Sequence, residues 1–475
     1  MKFCFGFGAL ATLTYHKIAE EIIRRFPETS FSGYVIGRQW YRYLRSTGFP
    51  YTRLEVLTDY IAEHWKDFKP DLDYLKAMER EYGIPNLWLY VTADRFICRH
   101  PYENILKMIE GHFRFFTRFL GENRPDVIVA GSPAGMSSYI FYSIAQRMGI
   151  TYLGFGIGPV PGTIRFMHPD GKVRGLQEKY NQYLKRPLSF EERNRAEAFL
   201  DEFRGNSLKL RYTGHAYGHF LQPARLWFNP LVLVRHIIDQ YIVERGRDFS
   251  VPTVGEMVMG KLARVTRRVL VQLTRVFDLP REGEPFVLFP LQIDPEATTL
   301  VHGPFYIDQA ALAENIARSL PMGYKLYVKE HPMLSVGHKP LSVYRRLRKI
   351  PNARLIAPEI DSHELIRCSS AVVVIYSTVG WEAILYEKPL VVLGNIFLKD
   401  FEGAYFVRAL TDLPGVLCQA LTTFRPDRER LLRYILAVLD CAYLGNILPL
   451  HNEPDSDDIR SLASAVALEA GLVSS

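Results

Sequence analysis

AVVVIYSTVGWEAILYEKPLVVLG, residues 371–394, decides the fold class of this chain. A run of β-branched residues, Ala371 to Tyr376, is bounded by polar residues and predicts a parallel strand buried on both faces. The turn Ser377-Thr378-Val379-Gly380 then hands over to a short helix, and LVVLG predicts the next strand. In an open α/β sheet, ligands bind where strands end and helices begin. The first N–H groups of a helix lack intrahelical partners and carry partial positive charge. The turn is therefore expected to hold a nucleotide phosphate, with the Ser377 and Thr378 hydroxyls as added donors.

Upstream the same alternation continues. FVLFPLQ, YKLYVKEHP and ARLIAP predict strands, and QAALAENIARSLP, LSVYRRLRKI and SHELIRCS predict the helices between them. Strand and helix alternating in this way make a doubly wound parallel sheet with right-handed crossovers. The amino-terminal half has the same character. MKFCFGFGALATL resembles a short signal peptide, but two glycines interrupt the apolar run and the amphipathic YHKIAEEIIRRF follows, so a strand, glycine turn and helix are expected. GYVIG and LWLYV (87–91) predict strands, and RPDVIVAG, YIFYSIAQRMG and ITYLGFG predict a βαβ unit. Residues 51–119 otherwise look mostly helical. Neither GFGAL nor GFGIGPVPG matches the full dinucleotide fingerprint, and no NAD site is expected.

Between 187 and 284 the alternation stops. From Asn206 to Arg281 there are 12 Lys/Arg against 5 Asp/Glu, which equals the net charge of +7 for the whole chain. Basic charge concentrated in one segment points to a local anionic partner rather than to nucleic acid. Within the segment, Val258, Leu262, Val265, Val269, Leu273 and Val276 recur at helical spacing, while Lys261, Arg264, Arg268 and Arg275 line another face. Two readings stay open. Either the apolar face packs on the core with the basic face in water, or the helix docks on an anionic membrane surface. No apolar run is long enough to predict a transmembrane helix. Five scattered cysteines without CxxC spacing support neither a disulfide framework nor a zinc site, and they fit a reducing, cytoplasmic compartment.

Three groups of residues carry candidate chemistry. His331 ends its predicted strand before Pro332, an arrangement that aims the imidazole out of the sheet end, where it would donate to a phosphate and, if protonated, supply charge. Glu382, in the first turn of the helix after STVG, suits a ribose diol or simply complements the helix terminus. Gln292, Asp294 and Glu296, in PLQIDPEATT, bring an amide and two carboxylates to one loop, suited to a general base, a nucleophile or a sugar clamp, though capping residues look similar. Asp308 with Gln309, Asp361 with His363, and Asp455 with Asp457 are expected at helix caps. Asp94, Arg95 and His100 are weaker candidates for the acceptor side. No metal site and no cofactor are expected.

FPLQIDPEATT, FYIDQAALAENIARSLP, YKLYVKEHP and STVGWEAILYEKPLVVLG together resemble the carboxyl-terminal module of bacterial capsule polysaccharide biosynthesis proteins, the group that includes the β-Kdo transferases. The resemblance runs from about 285 to 400. It implies a GT-B-like α/β fold, two Rossmann-like domains facing a cleft with a helical insertion between them: 1–186 for the acceptor, 187–284 the basic insertion, 285–425 for the nucleotide sugar, and 426–475 as terminal helices. It maps a His-Pro motif onto His331-Pro332, a phosphate-binding motif onto Ser377-Thr378, and an S-x-x-G-x-E-A pattern onto Ser377, Gly380 and Glu382. In those transferases the candidate nucleophile is a carboxylate four residues after the Gln of the first block; here that position is Glu296, where they carry Asp.

The implied activity is transfer of a sugar from a CMP- or UDP-linked donor to a lipid-linked or polysaccharide acceptor, with Glu296, Asp294 and His331 as catalytic candidates, at the inner face of the cytoplasmic membrane. A sugar-nucleotide 2-epimerase and a non-catalytic capsule assembly subunit are the competing readings.

Overall fold

A computed structural model describes residues 1–8, 11–205, 253–294, 296–331, 339–394, 396–447 and 456–473, with isolated positions between 234 and 244. The chain forms two compact units. One contains Met1–Pro169, Glu244 and 442–473; the other contains 170–205 and Met257–Cys441. These limits differ from the four-part division expected from sequence. The helices Leu176–Leu184, Phe190–Arg204 and Arg428–Asp440 pack together on the second sheet, whereas the last helix, Ser456–Glu469, packs on the first.

The first unit is built on a seven-stranded sheet of β1 (Lys2–Phe7), β2 (Ser30–Val35), β3 (Tyr51–Val56), β4 (Val127–Gly131), β5 (Thr151–Ile157), β6 (Thr163–Phe166) and β13 (Tyr443–Leu444), in the order β13-β6-β5-β4-β1-β2-β3. β6 runs antiparallel to both of its neighbours, β5 and β13, and the other pairings are parallel. The expected opening of strand, glycine turn and helix is present, the helix being Ala11–Arg25. LWLYV is not a strand. Leu87 and Val91 are buried four residues apart while Trp88 is exposed, a helical period, and Trp88–Ala93 is a helix. Conversely, β3 lies inside the stretch expected to be mostly helical. Its alternation is masked because Arg53 and Glu55 form an ion pair on the half-exposed face.

The second unit carries the doubly wound sheet. Its strands β7 (Phe286–Pro290), β8 (Lys325–Lys329), β9 (Ala353–Ile356), β10 (Ala371–Val374), β11 (Leu390–Val392) and β12 (Ala404–Phe406) are all parallel, in the order β12-β11-β10-β7-β8-β9. That order reverses between β7 and β10, which makes their carboxyl ends the switch point of the sheet. Phe286, Leu288, Val372 and Val374 feed the core on one face; Val287, Phe289, Val373 and Ile375 feed the core on the other. Burial on both faces is why these strands are continuous apolar runs. Together the two sheets establish two Rossmann-like units.

The helix Val254–Thr274 turns the wrong way for a core helix. Only Val271 is buried, at 1% exposure, while Met259, Leu262, Val265, Val269, Leu270 and Leu273 are exposed, Leu273 at 76%. Lys261, Arg267 and Arg268 are half-buried on the other side. Of the apolar face expected to pack on the core, Val276 does so, while Leu262, Val265, Val269 and Leu273 are exposed. Tyr212, Tyr217, Phe220, Trp227 and Phe228 of the basic segment lie outside the described residues. Glu244 does have a defined role: its carboxylate accepts the Arg38 and Gln39 N–H groups, at 2.8 Å each, at the start of the helix Arg38–Ser46. Among the described residues, no helix is long and apolar enough to cross a membrane.

Candidate functional site

Ser377 caps the helix Thr378–Leu385 directly after β10, its hydroxyl accepting the Val379 N–H at 3.2 Å. Thr378 is exposed at the first helical position and Glu382 is half-buried one turn on. A Cβ on Gly380 would lie 2.8 Å from Leu398 Cδ1 and 3.2 Å from Val374 Cγ2, so glycine lets this helix sit close on the sheet. The expected handover from strand to helix is present, but the helix begins at Thr378, inside the four residues expected as a turn, and the Ser377 hydroxyl accepts a bond as its cap.

The loop after β7 lies at the same switch point. A Cβ on Gly394 would stand 2.6 Å from the Ile375 carbonyl and 2.9 Å from that of His302, so the backbone after β11 packs between them. The His302 ring stacks on Tyr376 at 4.0 Å and 9°. Residues 296–303 are thereby held against the end of β10, next to Ser377. Within this loop Asp294 accepts the Thr299 hydroxyl at 3.1 Å. Glu296 precedes the one-turn helix Ala297–Leu300 in extended backbone, and its side chain makes no cap bond. Gln292 is placed differently from a ligand-facing amide. It is buried, its Nε2 donates to the Pro290 carbonyl at 3.3 Å, and its own backbone is clasped by Gln309, which accepts its N–H at 2.6 Å and donates to its carbonyl at 3.2 Å.

His331 follows β8, the neighbour of β7, and Pro332 lies outside the described residues. Burial pushes the imidazole down to about 4, and the Glu330 charge only partly opposes this. The ring is neutral at pH 7, so of the two contributions considered for it, a hydrogen bond and, if protonated, a charge, the hydrogen bond is the one this environment supports. The surrounding residues are ones the sequence reading passed over. Glu330, buried, accepts the His331 N–H at 2.8 Å and pairs with Lys339 at 3.0 Å. Lys339 also donates to the Gln292 carbonyl at 3.3 Å, which ties the β8 end to the β7 end. Lys329 is buried with its ammonium on the Pro358 and Ala357 carbonyls at 3.1 and 3.3 Å, and desolvation pushes it down to about 8. The clue in the sequence was two charged residues inside an apolar strand end, Lys329-Glu330.

Several of the remaining candidates make local contacts. Asp308 caps its helix at 2.9 Å and pairs with Arg346 at 2.7 Å; Asp361 caps at 2.8 Å. Asp94 accepts the Phe96 and Ile97 N–H groups at 3.0 Å each. Asp457 pairs with Arg460, and Asp455 lies outside the described residues. A cavity of about 280 Å³, lined by Lys388, Tyr405, Arg425 and Arg430 among others, lies at the opposite, amino-terminal ends of β11 and β12. Among the described residues, no group of three or more His, Cys, Asp or Glu is arranged to hold a metal.

Residues 259–404 match the family model described as capsule polysaccharide biosynthesis protein. The resemblance to that family therefore stands, and it reaches back into the basic helix. The Capsule polysaccharide export protein KpsS of Escherichia coli is 31% identical over 156 residues, 30% of this chain and 37% of that protein. The chain thus matches little more than a third of the length of its curated relative. Among solved structures, the beta Kdo 2,7 transferase of Thermosulfurimonas dismutans KpsC aligns at 10% identity over 98% of this chain and 99% of its own, with a TM-score of 0.40. The UDP-GlcNAc 2-epimerase of Methanocaldococcus jannaschii aligns at 12% identity over 93% and 99%, with a TM-score of 0.29.

Proposed function

We propose that this chain is a nucleotide-sugar-dependent glycosyltransferase of capsule or related surface polysaccharide assembly, acting at the inner face of the cytoplasmic membrane on a lipid-linked or polysaccharide acceptor. The observation that carries the reading is that the Ser377-capped helix start, the carboxylate loop Asp294–Glu296 and His331 follow the carboxyl ends of three neighbouring strands, β10, β7 and β8.

A donor phosphate at the helix start would accept the free N–H of Thr378 and its hydroxyl, in the field of the helix terminus. The neutral His331 adds one further hydrogen bond from an N–H. Glu382, one turn along, is the candidate for the ribose. Transfer then requires that the acceptor oxygen bond to the anomeric carbon as the bond from that carbon to the phosphate oxygen breaks, the electron pair leaving with the phosphate. Glu296 or Asp294 takes the acceptor proton. Donors aimed at the departing phosphate act where negative charge grows, which is where electrostatic stabilisation lowers the barrier most.

The test is thermal unfolding of the purified chain with CMP, CDP, UMP, UDP and GDP, repeated with Thr378→Ala and His331→Ala. A nucleotide at about 100 times its Kd stabilises by roughly 2.7 kcal/mol. Selective stabilisation by one of them, reduced in both variants, is the expected result. The absence of any response would reject the donor site and favour a non-catalytic assembly subunit, whose activity in cells would survive Glu296→Ala and Asp294→Ala.

A further inference from the structure

The helix Val254–Thr274 is about 31 Å long at 1.5 Å per residue. At 100° per residue, Met259, Leu262, Val265, Val269, Leu270 and Leu273 fall within an arc of about 140°, and all six are exposed. Leu279, just beyond the helix, is exposed as well. An apolar face this long, all of it open to solvent, is the signature of a surface that something covers. The helix is fixed to the second unit at its carboxyl end: Val271 and Val276 enter the core, and Phe277 packs edge-on against Tyr344 at 5.8 Å. Its direction is therefore set by the fold.

We propose that this face lies in the plane of an anionic membrane, with the six apolar side chains in the acyl boundary and the basic residues at the headgroups. Charge selects this occupant. From Met257 to Phe277 the sequence contains Lys261, Arg264, Arg267, Arg268 and Arg275 and no Asp or Glu. A second copy pairing face to face would bring these cations together with Glu256, in the first turn, as the one carboxylate from each helix, whereas anionic headgroups neutralise them. Arginine stems are long enough to run back along an apolar face and place the guanidinium at the interface. Spanning is excluded by the four charges between Lys261 and Arg268, at the middle of the helix. The inference takes from the proposed function only the placement at a membrane. Vesicle binding needs no nucleotide, so the two can fail separately.

The experiment is co-sedimentation of the full chain with vesicles of phosphatidylcholine alone or mixed with phosphatidylglycerol, alongside light scattering of the free protein. Binding is expected only to the anionic vesicles, weakening as salt rises. Leu262→Gln/Val269→Gln/Leu273→Gln should weaken it by about 100-fold or more, from the apolar area no longer buried. Arg264→Gln/Arg268→Gln should weaken it by about 25-fold, roughly fivefold per charge. All five positions lie outside the buried core, so unfolding temperatures should match the parent and show that the variants fold. The proposal is overturned if the parent does not bind, if it binds neutral vesicles equally, or if the triple variant binds like the parent. It is also overturned if the parent is a dimer that the triple variant separates.

Discussion

His331 and its neighbours make the ends of β7 and β8 sensitive to acid. The imidazole sits near 4 in the folded chain and near 6.5 when exposed, so between those values the unfolded chain binds a proton that the folded chain does not. Stability must then fall as pH drops from about 6.5 towards 4. His331→Asn should flatten that part of a plot of Tm against pH, and an unchanged slope would show the ring to be solvated. Glu330 poses a different question. Its carboxylate is the ion partner of the buried Lys339, so Glu330→Gln leaves an ammonium without its counter-charge and should cost about 3 kcal/mol in a urea titration. Adding Lys339→Met should recover much of that loss, because the remaining cost is the tie to the Gln292 carbonyl.

Among elements, the close approaches around β10 separate glycines that matter from those that do not. Gly394→Ala would push a methyl against two backbone carbonyls that cannot move aside, and a loss of about 1–3 kcal/mol is expected. Gly415, in the helix Leu413–Thr423, has nothing within 4 Å of its Cβ position, so Gly415→Ala should stabilise by about 0.5 kcal/mol. Chemical denaturation of the two variants checks the opposite signs. In the second unit β7 to β11 were legible because strands buried on both faces leave uninterrupted apolar runs and helices between them carry caps such as Asp308 and Asp361. The strands β3, β6, β12 and β13 and the helix Leu413–Thr423 were not; the strands are short or half-exposed, and an ion pair such as Arg53–Glu55 hides a strand's period. The candidate positions could be read from the sequence as strand ends and helix starts, but their side-chain surroundings could not. Ser377 and Thr378 lie where the turn placed them, while the inward fold of Gln292 and the neutrality of His331 follow from Gln309, Lys339 and burial, which only the tertiary structure brings together.

In the whole molecule each unit has its own pair of cores, and the chain passes between units rather than finishing one before starting the next. Ile459, Leu462, Ala463 and Val466, from the last helix, complete the core of the first unit. Leu462→Ala should cost about 2–5 kcal/mol there. In calorimetry it should lower the unfolding of the first unit alone, and a nucleotide that occupies the second unit should raise only the other transition.

That closing segment also has a consequence for synthesis. Among the described residues β6 gains its outer partner from Tyr443 and Leu444, which follow the second unit in sequence. A ribosome delivering the amino terminus first must make some 270 further residues before the first sheet is sealed, about half a minute at roughly 10 residues per second. For that interval the nascent sheet exposes a strand edge and the apolar surface reserved for the last helix. The step at which this chain is most exposed to aggregation is therefore the wait for its own tail.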